Sequence, residues 1–336
     1  MSGPFSAVLL LLAASAAWSQ PSEQEIRKAL AANPRSARLH AQYGLLLSSE
    51  GRLKEAIPQF QQALQIDPKL TDTAYNLGLA LLQEGHPAEA LRVLDTYRSS
   101  NADSLALRGA ALNALDRAPE AAQALRRANT LDPANPDTLY DLVLTLLRID
   151  AATEASSLLQ RGRQRFPKVA KIHAAAGMVA YLNGKNEEAI RAYEAAVRLE
   201  PGAADLHSAL GDVYDATGEL QKAESAYAKA VRLDAGNAAY YLKFGRNLAK
   251  LQKPDAALDM LRRAVVIEPA NADAHFELGK LAAARSDDAT AAVHFEKAVA
   301  ANPSLKQGWY QLALSYRRLG QPDRSNSAME QFRKLP

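Results

Sequence analysis

The chain has 336 residues, 48% apolar, 23% charged and 6% aromatic, with a formal charge of +3 and no cysteine. So small a charge on so long a chain provides no dense basic face for phosphate neutralisation, which argues against general nucleic-acid binding. The lack of cysteine excludes a disulfide framework and a lipidated cysteine, and abundant alanine favours helix.

Residues 1–19, MSGPFSAVLLLLAASAAWS, carry no charged side chain, hold an apolar core from Phe5 to Ala14, and end in small residues. That pattern predicts a signal peptide cut between Ser19 and Gln20, with Ala17 and Ser19 in the small-residue positions; a cut after Ala16 is the alternative. The amino-terminal side of the apolar core has no Lys or Arg, so a retained membrane anchor stays as a second reading. Against it, the stretch is shorter than the ~20 residues that span a bilayer. Export as a periplasmic or secreted product is the expectation if the host is bacterial, with no stable membrane span after cleavage.

Ser22-Glu23-Gln24-Glu25 reads as a capping box, so a helix is predicted to start there and to stop before Asn33-Pro34. Residues 20–36 form an N-terminal capping segment that matches only the second half of a phrase repeated later. Its clearest copy runs from Glu187 to Pro201, EEAIRAYEAAVRLEP, with echoes ending at Pro68 and Pro269. Length alone would suggest two or three globular domains, but the repetition predicts one elongated domain growing along an axis.

From Ala37 the register can be counted. Small residues recur at Gly44, Gly78, Gly109, Val143, Gly177, Gly211, Gly245, Gly279 and Ala313, 34 apart except for one step of 31. Twelve places after each stands Ala56, Ala90, Ala121, Ala155, Ala189, Ala223, Ala257, Ala291 or Ser325, and seven further on a third series runs from Ala63 through Gly162 to Phe332. Apolar spacing at three and four gives two amphipathic helices per unit, for example through Leu206, Leu210, Val213 and Tyr214, then Ala223, Tyr227, Ala230 and Leu233. The small residues let two backbones approach while Tyr193 or Tyr227 fills the space beside them. Helices of about thirteen residues are marginal alone, so each unit depends on burial against the next.

This period and these residue types resemble the tetratricopeptide repeat family over residues 37–336. The resemblance implies an all-α, right-handed superhelix of nine helix-turn-helix repeats behind the capping helix, at 37–70, 71–101, 102–135, 136–169, 170–203, 204–237, 238–271, 272–305 and 306–336. The second repeat is three residues short near Ser99-Ser100-Asn101, where a kink or a tighter turn is expected. The ninth carries Ser325 and Asn326, which suits a terminal cap facing water.

The family implies that first helices line a concave groove that grips a peptide or protein client. In the second to fifth repeats the outward places read Tyr75, Leu79 and Leu82, then Ala106, Leu107 and Ala110, then Tyr140, Leu144 and Leu147, then Met178, Tyr181 and Leu182, an apolar strip. In the sixth to ninth they become Asp212 and Asp215, then Lys243, Arg246 and Lys250, then Phe276, Glu277 and Lys280, then Tyr310, Arg317 and Arg318. The expected client is extended or helical with an acidic portion. Leu79, Leu144 and Met178 also admit a reading as core between neighbouring helices. Two subclasses of the family are disfavoured. No three successive repeats supply the Lys, Asn and Arg set of a carboxylate clamp, and only Asn76 occupies the inner place where sugar transferases carry asparagine.

His40, His173, His207 and His275 share one place in their repeats. Stacked helices are about 8–10 Å apart and no His pair lies one turn apart with a carboxylate beside it, so a bulky packing role is expected rather than zinc ligation. No phosphate-cradling glycine loop, HExxH, cysteine nucleophile or GxSxG is present, and no cofactor is implied. Glu187-Glu188 and Asp287-Asp288 fall where second helices start and complement the helix dipole. Three functions stay open: a non-catalytic adaptor in envelope assembly or secretion, a self-associating structural protein, and a subunit presenting substrates to a separate enzyme. The oligomeric state is not legible.

Overall fold

The computed structural model describes residues 21–97 and 100–336, so the signal peptide and cut expected from the sequence lie outside the described residues. Among the described residues every regular element is a helix, and the chain divides into two compact units, residues 1–132 and 133–336, where the repeat pattern predicts one elongated domain.

The first unit holds α1 (Glu23–Ala32), α2 (Ala37–Ser49), α3 (Leu53–Ile66), α4 (Thr71–Gln83), α5 (Pro87–Tyr97), α6 (Ala102–Ala114) and α7 (Ala118–Leu131). The capping box at α1 forms as the sequence predicts: Glu25 N donates to Ser22 Oγ at 3.3 Å, and Ser22 N donates to Glu25 Oε2 at 2.7 Å. Ile26 is buried, and Tyr43 of α2 donates its hydroxyl to Glu23 Oε1 at 2.8 Å. Arg52 reaches the same carboxylate at 2.9 Å, and with Tyr43 and Arg27 holds it down at about 2. The second repeat is shortened between the start of α5 at Pro87 and the start of α6 at Ala102, and Ser99, where a kink or tighter turn is expected, lies outside the described residues.

The second unit holds α8 (Pro136–Arg148), α9 (Ala152–Arg165), α10 (Ala170–Leu182), α11 (Asn186–Leu199), α12 (Ala204–Ala216), α13 (Leu220–Leu233), α14 (Ala238–Lys250), α15 (Pro254–Ile267), α16 (Ala272–Ala284), α17 (Asp288–Ala301), α18 (Lys306–Arg318) and α19 (Pro322–Lys334). In both units an even-numbered helix pairs with the next odd one, and that odd helix packs in turn on the first helix of the following pair.

Pairing is close because one helix of the pair is bare at the crossing. A Cβ placed on Gly177 would lie 2.7 Å from the Tyr193 ring, on Gly211 2.7 Å from Tyr227, and on Gly279 2.6 Å from Phe295. The alanines Ala56, Ala90, Ala121, Ala155, Ala189, Ala223, Ala257 and Ala291 have no exposed surface at all. The pair α8–α9 departs from this. Val143 replaces the glycine, the two helices pack less extensively than in any other pair, and a glycine appears instead on α9, where a Cβ on Gly162 would lie 2.6 Å from Leu139 Cδ2.

The turn inside each pair passes through a left-handed residue at one fixed place. Five are glycines, Gly51, Gly85, Gly184, Gly218 and Gly320, and four are Asp116, Asp150, Gln252 and Ser286, at φ between 56° and 59°. The turn between pairs is closed differently. His40, His173, His207 and His275 each point Nε2 at the carbonyl of the proline six residues earlier, Pro34, Pro167, Pro201 and Pro269, at 3.0 to 3.1 Å. Trp309 does the same to Pro303 at 2.9 Å. A carbonyl only accepts, so Nε2 carries the proton, and the shared histidine place is a hydrogen-bonded loop clasp as well as a packing position. In the last pair Ser325 is half-buried and its hydroxyl donates to Ala313 O at 2.8 Å, while Asn326 is exposed.

An L-residue in the left-handed region is strained, by about 1–2 kcal/mol, and glycine recovers that at some cost in unfolded-state entropy. Gln252→Gly should therefore stabilise the protein by about 0.5–1 kcal/mol, read as a higher denaturant midpoint at unchanged slope.

Candidate protein-binding face

In the first unit the predicted strip is half-buried or buried throughout. Leu82 and Leu107 are only 8% and 7% exposed, which corrects the expectation that they face outward. Gly78 is the reason for Leu107: the bare place on α4 lets the side chain of the next first helix come down to within 3.4 Å of where a Cβ would be. Tyr75, Leu79 and Ala110 are half-buried against the same cluster, so for Leu79 the core reading holds in part. Burial pushes the Tyr75 phenol up, and Asp103 adds to it.

In the second unit the strip is open. Tyr140, Leu144 and Leu147 of α8 and Met178 of α10 are half-buried, and Tyr181 and Leu182 at the end of α10 are 38% and 63% exposed. Tyr140 and Tyr181 both bear on the Tyr193 phenol, which burial, Asp212 and these two rings push up to about 12. Tyr181 also acts on Tyr227, whose hydroxyl donates to Asp212 at 2.9 Å.

The charged half is already internally paired. Lys243 donates to Asp212 Oδ2 at 2.6 Å and to Ser208 Oγ at 3.3 Å, while Lys250 pairs with Asp215. Arg246 donates to Glu277 Oε1 at 3.0 Å and to Asp273 Oδ1 at 3.1 Å. Lys280 donates to Glu277 Oε2 at 2.8 Å and lies over the buried Phe276 ring, 5.6 Å from its centroid. These four cations meet four carboxylates, so the net basic surface expected from the sequence is locally neutral. Arg318 pairs with Asp288 at 3.2 Å, Tyr310 stacks on Phe332 at 5.4 Å, and Arg317 alone among the named cations is exposed without an ion-pair partner. Three of the pairs, Lys243 with Asp212, Arg246 with Glu277 and Lys250 with Asp215, join consecutive first helices 31 to 35 residues apart, a spacing of one repeat give or take three that the sequence carries but that inspection by single repeats misses.

Two acids escaped sequence reasoning. Asp141 on α8 and Asp205 on α12 are exposed and have no ion-pair partner among the described residues. Both act on Tyr140, whose phenol burial pushes up first. The protein around Asp141 withdraws enough water to raise its carboxyl to about 6, although the residue itself stays accessible. The sign follows from linkage. A carboxyl raised in the folded state is most favourable while protonated, and its contribution is lost as pH climbs from the ordinary carboxylate range through about 6. Asp141→Asn should thus raise the melting temperature near neutral pH and leave it unchanged near about pH 4, where both side chains are neutral.

A cleft of about 420 Å³ opens elsewhere, between α9, α10 and α11, with Leu159, Ala176, Val179 and Ala180 among its lining. Its polar groups engage one another, Asn183 with Ser156 at 3.4 Å and Arg163 with Glu188 at 3.5 Å. Among the described residues no three His, Asp or Glu side chains come together as a metal site, and no helix is long and apolar enough to cross a membrane.

Comparison with known proteins fits this architecture. Tetratricopeptide repeat profiles match residues 47–115 and 112–178 in one version, 22–70, 174–238 and 242–305 in a second, and 307–335 in a third. No curated protein matches the chain. Among solved structures, a crystal structure of MamA protein shares 24% identity at a TM-score of 0.45, covering 48% of this chain and 89% of its own. A second MamA structure shares 25% at 0.45, covering 47% and 92%. The crystal structure of the APC/C hetero-tetramer Cut9-Hcn1 shares 19% at 0.48, covering 92% and 71%. The second repeat profile alone takes in more than half of the residues. The chain belongs to the tetratricopeptide repeat family, and its paired helices form a protein-interaction scaffold.

Proposed function

We infer that this protein is an exported, non-catalytic adaptor that holds a peptide or protein client on the first helices of its second unit, in cell-envelope assembly or secretion. The observation that carries the reading is the end of α10, where Tyr181 and Leu182 are exposed beside the half-buried Leu144, Leu147 and Met178, while Leu82, the place of the first unit equivalent to Leu147 and Tyr181, is buried. Accessible apolar and aromatic groups flanked by polar ones are what an interaction surface presents. Export is supported by the uncharged apolar stretch and the small residues that follow it in residues 1–19. The acidic portion first expected of the client loses its support, because Lys243, Arg246, Lys250 and Lys280 already meet carboxylates.

Leu147→Glu with Tyr181→Glu should abolish co-purification of the client from the native host at unchanged helicity by circular dichroism. A folded double variant that captures the client as well as the parent does would overturn the assignment of this face.

A further inference from the structure

We propose that the cleft between α9, α10 and α11 is a second binding site, separate from the client face, for a carboxylate that carries a branched aliphatic group. Ala176 and Val179 receive the aliphatic group, and Arg163 and Lys185 receive the carboxylate.

The cleft has its cause in one small side chain. The place one residue before the crossing of each first helix holds Leu142, Leu210, Phe244, Leu278 and Leu312 in the other pairs of the second unit. On α10 it holds Ala176, which lines the cleft together with Leu159, Val179 and Ala180. The apolar floor is thus short of one large side chain where every other first helix of the unit supplies it. The opening of about 420 Å³ is the size of a small-molecule site. An aliphatic group entering it regains the dispersion contacts that Ala176 is too short to make.

The rim decides the charge. Arg163 of α9 meets Glu188 of α11 through one guanidinium nitrogen at 3.5 Å, a long contact that leaves its other N–H groups free to donate. Lys185, exposed at the start of α11, forms no ion pair among the described residues. Glu188 is the one acid in the lining against these two cations, so the cleft carries a surplus of one positive charge. A single carboxylate matches that surplus, whereas a neutral ligand leaves it unmet and a dianion exceeds it. The exposed Ser157 and Gln160 add neutral hydrogen-bonding groups to the same rim. Both cations stand on second helices, which distinguishes this site from the first-helix clamp whose residues the sequence lacks.

Such a carboxylate comes either from a free acid or from a chain that ends in an aliphatic residue, and two probes separate these sources. Titration of the full chain by calorimetry should show binding of 4-methylpentanoate, of N-acetyl-leucine, or of both, and the tighter one identifies the source. The corresponding carboxamide should bind about fivefold or more weakly than its acid, and Lys185→Gln should weaken the acid to a similar degree. Ala176→Leu, which restores the side chain found elsewhere in the unit, should abolish binding at unchanged helicity. No binding of either acid at millimolar concentration, a carboxamide as tight as its acid, or undiminished binding by folded Ala176→Leu would overturn the proposal. If Ala176→Leu does not fold, Lys185→Gln decides, because unchanged affinity in that variant removes the charge on which the assignment rests.

Discussion

In seven of the nine helix pairs a side chain from the second helix rests on a bare glycine of the first, and six of them have room for no Cβ: Phe60 on Gly44, Leu125 on Gly109, Tyr193 on Gly177, Tyr227 on Gly211, Leu261 on Gly245 and Phe295 on Gly279, while Leu94 lies 3.3 Å from the Cβ position on Gly78. Adding one carbon at such a crossing forces the pair apart at a cost of about 1–3 kcal/mol. The alanine twelve residues later is completely buried, and within each unit the second helix packs on the next first helix. Stability then accumulates from neighbour to neighbour rather than around one centre.

The pair α8–α9 shows what happens when this contact is moved. With Val143 at the crossing the helices pack less extensively, and Gly162 on α9 admits Leu139 instead. The glycine has changed helix, and the close approach has shifted with it. Next to this looser pair lies the cleft between α9, α10 and α11, and on its first helix stand Tyr140, Leu144 and Leu147. The most accessible apolar positions of the second unit, Tyr181 and Leu182, follow on the next first helix.

Most of the fold was legible because it is written in residues that recur. Glycine and alanine at fixed intervals announce close helix pairs, and Ser22 with Glu25 announces a helix start. The histidine place was legible as structural, but its hydrogen bond to the preceding proline carbonyl was not, because periodicity shows that a bulky ring is needed without showing what its nitrogen meets. The face was legible only in part. Position along a helix tells which residues share a side, yet Leu107 is buried by a glycine on another helix, and Lys243 is neutralised by an acid 31 residues away. Both outcomes depend on pairs of residues in different repeats, whereas the sequence register describes one repeat at a time.

Equivalent positions in the second unit thus serve two ends. On α12, α14 and α16 the charged side chains span consecutive first helices and satisfy one another, as Asp212 does with Lys243 and Glu277 with Arg246. Individual exposed pairs of this kind contribute little, about 0–1 kcal/mol each, but a connected set fixes the register of three helices at once. On α8 and α10 the same places carry apolar and aromatic groups, and among the described residues Asp141 on α8 and Asp205 at the start of α12 have no ion-pair partner. A charge that costs the folded state something and binds no neighbour does not serve the scaffold. Holding is done by counter-charges that lie about one repeat away within the chain, and among the described residues Asp141 has none.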